Sequence, residues 1–524
     1  MLTESIRFVS GLNPDDSNLS VGAICLLAGL VAVFYTISQK SPFPLINEKP
    51  LFKISNTRYQ KQFLFNARNL IKAGLSKASI FQLNSDNGVK VILAPKYAEE
   101  LRSHPALSFG GAVEREFHAY IRGFEPFKQG TSSDNIFRDA VRMKLTQSLG
   151  AVTKPLSQET NHVLREVWTD SPDWHDLALK SSILRIVAQL SSKVFLGDQI
   201  CRNPDWLQIT VDYTVDAFIA AEELRLWPSP LRRLVAEFLP SCRKIRQELQ
   251  RARGIITPVL EQRRLARLEE EKDSLLNAQG EAKAPGKSKY ADAMQWMEDC
   301  AKGQRYDPAV AQILFSIAAI HTTSDMLTQV LLDLCTMPEI IDALREEIVT
   351  VVREEGWKKT TFYKLKLMDS VLKESQRLKP TSIGSMRRHA SQTLKLQDGS
   401  VIQKGTFLFV SSERMWNPSV YPDPEKFDPY RFINLRQVPG YETVAQTVSP
   451  SPEHMGFGLG KHACPGRFFA INEVKIALCH ILLKYDVELP EGCIPSVRKY
   501  GLSLGADPAA RLRVRRRREE MVLV

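Results

Sequence analysis

The sequence has no paired-cysteine rhythm, no clustered metal-ligand spacing and no nucleotide-binding fingerprint. Its eight cysteines (Cys25, Cys201, Cys242, Cys300, Cys335, Cys464, Cys479 and Cys493) are scattered, which excludes a secreted disulfide scaffold, suits a reducing compartment and predicts no structural disulfide. None of them gathers the four clustered Cys and His ligands of a structural zinc site. No glycine-rich nicotinamide or flavin motif is present, so any electrons the chain uses come from elsewhere. No nucleic-acid motif accompanies the arginine run from Arg511 to Arg518, so nucleic acid is not an expected partner.

What is present is ordinary globular material, 44% hydrophobic and 25% charged over 524 residues, enough for a large core. The net charge of +11 comes partly from the arginine run. That run reads as a solvated terminus, or as a basic surface facing anionic lipid or an acidic redox partner. Residues 19–38 form an uncharged, mostly apolar stretch long enough to cross a bilayer, read as a transmembrane anchor behind a short lumenal N-terminus, 1–18. A cleaved signal peptide is the rival, but Asp15 and Asp16 stand where its basic region would be. Lys40, Lys49 and Lys53 follow, so the positive-inside rule places the rest of the chain in the cytosol. Asn18 opens a formal glycosylation acceptor that abuts the membrane and is expected to be little used. Residues 39–50, with Pro42 and Pro44, make a stiff hinge, and 51–524 make one domain.

That domain reads as mostly helical up to about Pro258, with a strand at 88–95 and a helix end followed by an exposed charged loop between Arg263 and Tyr290. Asp307-Pro308 is an N-cap followed by proline, and no further breaker comes before Met337-Pro338. The result is a helix of about 29 residues, roughly 43 Å long. It is apolar on most faces and so is expected in the core; Gln312, His321, Asp325 and Asp333 make it a poor membrane span. Asp398-Gly399 marks a hairpin turn.

The chemistry centres on Phe457 to Arg467, a glycine-rich loop presenting Cys464. Lys461, His462 and Arg467 flank it and a helical segment starts at about Pro465, surroundings that lower a thiol's pKa. Gly458, Gly460 and Gly466 let backbone approach a flat ligand. Haem iron needs only one such proximal ligand. The spacing of Phe457, Gly460, Cys464 and Gly466 resembles the haem-binding loop of the cytochrome P450 family of haem-thiolate monooxygenases, with His462 where the family usually places a basic residue.

The resemblance implies a mainly α fold with small β-sheets, preceded by one transmembrane helix, and haem b with Cys464 as the axial ligand to iron. It places His462, Arg388, Phe457, Gly460 and Gly466 around the cofactor. One of Arg138, Arg142 and Lys144 would reach a propionate, with no choice among them because the family's usual Trp is absent. Ala318 to Thr323 resembles the family's oxygen motif: Thr322 would pass a proton to dioxygen and His321 stands where an acid usually assists. Packing, with Thr322 bonded back to a helix carbonyl, is the plainer reading of those residues alone. Glu374 and Arg377, one turn apart, match the family's Glu-x-x-Arg pair, joined by Arg431 in a network assigned to folding and haem retention.

The activity implied is insertion of one atom of O2 into a hydrophobic substrate. Contacts are expected from 313–316, 381–386 and 500–504, which carry no counter-charge. A terpenoid or meroterpenoid intermediate of secondary metabolism fits them, and the His-Thr-Thr variant is similar to that of fungal members oxidising terpenoids. Electrons would come from an NADPH-cytochrome reductase docking on the basic face around Cys464, at the endoplasmic-reticulum membrane, with one span and a cytosolic catalytic domain. The alternatives are a reductase-independent haem-thiolate isomerase or dehydratase, and a non-catalytic haem-binding sensor.

Overall fold

The computed structural model describes residues 42–48, 57–277 and 290–523. The chain divides into a short unit ending at Leu45 and a main unit from Ile46 onward, and the account below is of the main unit. The anchor read over 19–38, the N-terminus before it with Asn18, and the loop 278–289 lie outside the described residues.

Ten helices carry the argument: α1 (Thr57–Leu75), α2 (Leu149–Val167), α3 (Leu179–Leu196), α4 (Pro204–Arg225), α5 (Pro240–Asn277), α6 (Ala293–Ala301), α7 (Pro308–Cys335), α8 (Pro338–Glu355), α9 (Lys366–Leu378) and α10 (Arg467–Lys484). The core helix is α7. Asp307 caps it by accepting from the Val310 amide at 3.1 Å, and Pro308 supplies a residue that needs no N–H there. Length and composition would suit α7 to a membrane, but it is buried in the protein, packed against α3, α4, α5, α9 and α10. Four rings lock that packing. Phe315 of α7 meets Phe137 at 4.8 Å and Phe195 of α3 at 5.0 Å, and Phe195 meets Phe469 of α10 at 5.6 Å.

Twelve short strands form four small sheets among the described residues. The largest has the order β1 (Ile80–Ser85), β2 (Gly88–Leu93), β8 (Phe407–Ser411), β5 (Gly384–Ala390), β3 (Leu107–Ser108). Its strand β2 occupies the alternating stretch seen in the sequence. Between Ser385 and Arg388 the β5 register shifts, and Met386 takes a φ of 52°, a bulge that re-aims the following side chains. The Asp398-Gly399 turn joins β6 (Leu394–Lys395) to β7 (Val401–Ile402), with Gly399 at φ 86°. A third pair, β10 (Val497–Tyr500) and β11 (Ser503–Ala506), forms a hairpin.

The last sheet corrects two expectations for the basic tail. Residues Arg511–Arg516 are neither a solvated terminus nor a free basic surface; they are β12, the middle strand between β4 (His175–Ala178) and β9 (Tyr485–Glu488). Leu512 and Val514 are buried on one face. The arginines find acids: Arg513 donates to Glu488 at 2.7 Å, Arg515 to Asp486 at 3.0 Å, and both lie over the Trp174 ring. The charged stretch after Arg263 opens with the expected helix end, α5 running to Asn277, and Arg263 itself is buried, donating to Asp292 at 2.7 Å.

Candidate active site

The loop before α10 is shaped by its own backbone. The Cys464 amide donates to the Phe457 carbonyl at 2.8 Å, closing the loop at its base. Gly460 sits at φ 70°, and a Cβ there would fall 2.4 Å from the Arg102 carbonyl oxygen, so only glycine fits. At Gly466 a Cβ would meet Val141, placing the irregular helical turn Ala140–Leu145 beside the loop.

Cys464 is half-buried and surrounded by packed atoms. The first free amides of α10, on Gly466 and Arg467, point at its sulfur. The expectation of a lowered thiol pKa is overturned, because burial pushes Cys464 up by more than those amides and the Arg467 charge pull it down. Lys461 is tied by its amide to the Ser103 hydroxyl at 3.1 Å.

The charges that act most strongly on His462 are cations. Its imidazole lies 5.8 Å from the Phe109 ring, and its pKa is pushed down to about 4 by burial and then by Arg388, Lys461, Arg138 and Arg142. Arg388 on β5 is buried; Nη1 donates to the Arg387 carbonyl and Nη2 has no partner. Burial draws its guanidinium down to about 10. Of the three cations left undecided by the sequence, Lys144 is turned away to Asp299 at 3.2 Å. Arg138 has only Asp139 at 3.8 Å, and Arg142 makes no ion pair among the described residues. A buried guanidinium with Nη2 unpartnered, among three further cations, fits a dianionic ligand, and the two propionates of a haem have that charge.

Within α7 only Ala318 and Thr322 are exposed, one turn apart, on a helix otherwise buried or half-buried. A small residue and a hydroxyl are therefore accessible together on one face of the core helix. The Thr322 hydroxyl donates back to the Ala318 and Ala319 carbonyls at 3.1 and 3.2 Å. His321 points elsewhere: Nε2 lies 3.0 Å from the Val211 carbonyl of α4, and burial lowers its pKa, so it is neutral with its proton on Nε2. Asp325, one turn further on, accepts from Lys180 at 2.7 Å and from the Ala506 amide of β11 at 2.8 Å.

Glu374, Arg377 and Arg431 meet. Arg377 grips Glu374 with two bonds of 2.7 and 2.8 Å, and Arg431 reaches the same carboxylate at 3.1 Å. The Arg377 and Glu374 side chains are wholly buried. Of the segments expected to contact substrate, 381–384 and 500–504 are sewn together by Ile383 N to Leu502 O at 2.8 Å and Leu504 N to Thr381 O at 3.3 Å. Ile313 to Ser316 is buried in the core.

The sequence reading passed over Lys373 and Asp369 of α9, which hold the strand-free segment leading to the cysteine loop. Their spacing of four on one helix was visible; their partners, backbone groups some seventy residues away, were not.

The cytochrome P450 family model matches residues 87–510. Cytochrome P450 monooxygenase adrA of Penicillium rubens is 51% identical over 511 residues, 96% of this chain and 97% of that protein. Cytochrome P450 monooxygenase trt6 of Aspergillus terreus is 51% identical over 467 residues, covering 88% of this chain and 92% of its own. Cytochrome P450 monooxygenase 1 of Gibberella fujikuroi is 50% identical over 445 residues, 84% of this chain and 99% of that one. Likeness of that extent, joined to a cysteine on a tight glycine loop and a cluster of cations awaiting an anion, leaves one conclusion: the chain belongs to the cytochrome P450 family and is a monooxygenase whose cofactor is haem b.

Proposed function

We propose that this monooxygenase oxidises a terpenoid or meroterpenoid intermediate of secondary metabolism, anchored in the endoplasmic-reticulum membrane by residues 19–38 through the hinge 39–50, with 51–524 cytosolic and electrons drawn from an NADPH-dependent flavoprotein reductase. The observation that carries the reading is the open Ala318–Thr322 face on a buried helix, tied to the Cys464 loop through Phe315, Phe195 and Phe469. When bound, haem supplies activation of O2 and transfer of one oxygen atom to a C–H bond, the other leaving as water with two electrons and two protons.

The residues divide that work. Cys464 would ligate the haem iron, its sulfur steadied by two amides. Arg388, with Arg138 and Arg142 beside neutral His462, would neutralise the propionates, while Phe457, Gly460 and Gly466 keep the loop thin and closed. Thr322 holds and passes a proton at Oγ1, which requires its hydroxyl to swing from the Ala318 carbonyl toward the open side. His321 has Nε2 committed to the Val211 carbonyl, which leaves Nδ1 as the ring atom that would take a proton, against a basicity that burial lowers. Glu374, Arg377 and Arg431 brace the haem side of the fold. Segments 381–386 and 500–504 present small and apolar groups to an uncharged substrate.

The test begins with the reduced, carbon-monoxide difference spectrum of membranes carrying the chain beside a Cys464→Ala variant. A strongly red-shifted Soret band lost in the variant is expected, and its retention in the variant would remove Cys464 as the ligand. Reconstitution with an NADPH-dependent reductase and a terpenoid panel follows. Turnover that proceeds without NADPH would replace the reductase reading by an isomerase or dehydratase.

A further inference from the structure

Residues 444–449 have no regular secondary structure, yet side chains from two helices hold five of their backbone groups. Lys373 of α9 donates its three N–H bonds to the carbonyls of Val444 at 2.8 Å, Gln446 at 2.7 Å and Ser449 at 3.0 Å. One turn earlier on the same helix, Asp369 accepts from the Thr447 amide at 3.0 Å, and its carbonyl accepts from the Thr447 hydroxyl at 2.6 Å. Asp369 is itself paired with Lys475 of α10 at 2.7 Å and with Arg436. The Val448 carbonyl, which α9 does not hold, accepts from Arg467 Nε at 2.8 Å.

Arg467 completes the line. Its Nη1 donates to the Cys464 carbonyl at 2.9 Å, and its guanidinium lies 4.6 Å from the centre of the Phe468 ring. A planar fork with fixed donors bridges two carbonyls in one orientation, which a flexible ammonium does not. Segment 444–449 is thus a strut, held by α9 at one end and delivering its position to Cys464 through one guanidinium. That guanidinium is also a full positive charge acting on the sulfur.

We propose that Arg467 is a positioning residue for Cys464 with two separable actions: its forked hydrogen bonds fix the cysteine relative to α9, and its charge weakens electron donation from the sulfur. The inference rests on Cys464 being the haem ligand, which the Cys464→Ala spectrum tests separately. Charge and hydrogen bonding around a ligating sulfur are levers on reduction potential. With the cation removed, the sulfur donates more strongly, the oxidised centre is favoured and the midpoint potential falls.

Two substitutions separate the actions. Arg467→Gln removes the charge; Arg467→Lys keeps a charge and loses the fork. Both are measured for midpoint potential by redox titration and for haem loss to an excess of apomyoglobin. Arg467→Gln is expected at a more negative potential than the parent, Arg467→Lys at the parental potential, and both should lose haem severalfold faster. Lys373→Met, which cuts the strut at its far end, should raise the loss rate while leaving the potential in place. Its effect on the loss rate should fall short of additivity with Arg467→Gln, because both break one line of contacts. A parental potential in Arg467→Gln, or an equal shift in Arg467→Lys, overturns the charge role; parental haem loss in both overturns the positioning role. If Arg467→Gln does not load haem, Arg467→Lys decides, a parental potential with faster loss supporting the inference and a shifted one overturning it.

Discussion

Removing Glu374 should damage this protein far more than removing Arg431, although both belong to one network. The two arginines differ in what they leave behind. Glu374 accepts from Arg377 twice, from Arg431 once and from the Asp428 amide at 3.1 Å. Glu374→Ala therefore strands two guanidiniums, one of them wholly enclosed. Breaking a buried pair on one side costs about 3–5 kcal/mol, a large share of a total stability of about 5–15 kcal/mol. Arg377→Ala belongs to the same class, since it also deprives the Met415 and Pro424 carbonyls of their donor. Arg431→Ala leaves Glu374 its two-pronged partner and the Asp428 amide, and the carbonyls of Pro422, Asp423 and Lys426 that Arg431 served are near solvent. Its cost should be nearer about 1–3 kcal/mol, that of a hydrogen bond to a charged group. The assay is haem retained after purification together with urea midpoints at matched slope. Equal damage from Arg431→Ala and Glu374→Ala, or a parental midpoint in Glu374→Gln, would refute the reasoning.

The other predictions are briefer. Thr322→Ala should keep the carbon-monoxide spectrum while the fraction of NADPH converted to product falls severalfold; unchanged coupling would remove its role. Val514→Asp places a carboxylate in the buried face of β12 and should cost several kcal/mol, about the penalty for an unpaired buried charge, whereas a solvated tail would accept it with no change in melting temperature. Burial lifts the carboxyl of Glu473 to about 8, with the Ser191 hydroxyl at 2.8 Å opposing it. The folded chain then keeps a proton that the unfolded chain releases above about 4.3, so stability drains away as pH rises from there to about 8, and Glu473→Gln should flatten that slope in urea midpoints measured across the range. His480, held neutral by burial with its pKa pushed down to about 3, works in the other direction: stability falls as pH drops from about 6.5 toward 3, a loss His480→Gln should lessen.

Local chemistry made some elements legible in advance. The Asp307 cap and Pro308 start α7 where the sequence indicates, Asp398-Gly399 turns the β6–β7 hairpin, and Glu374 meets Arg377 because three residues make about one helical turn. What escaped the sequence depends on contacts between distant segments. Nothing near Lys373 announces that its ammonium will hold three carbonyls of 444–449. His321 was read beside Thr322 because they are neighbours in the chain, but a helix turns successive side chains about 100° apart, and His321 meets Val211 of α4 instead of sharing the open face. The Cys464 thiol was misjudged for a related reason. Nearby charges and a helix start are visible in sequence, whereas the enclosure that outweighs them is a property of the packed loop.

Charge shows the same division most clearly. Arg511 to Arg518 is the densest basic run in the chain, yet alternation along β12 hands those arginines to Asp486, Glu488 and Trp174, and the run is largely neutralised where it stands. Arg138, Arg142, Arg388 and Lys461 are spread over more than three hundred residues, and no composition window collects them. Folding draws all four toward His462, where the described residues supply no carboxylate close to Arg388. The electrostatic work of holding an anion therefore falls to the scattered set, because a cation already paired with a protein carboxylate has little left to offer a ligand. A sheet built on arginines can be inert, and four isolated cations can make a site.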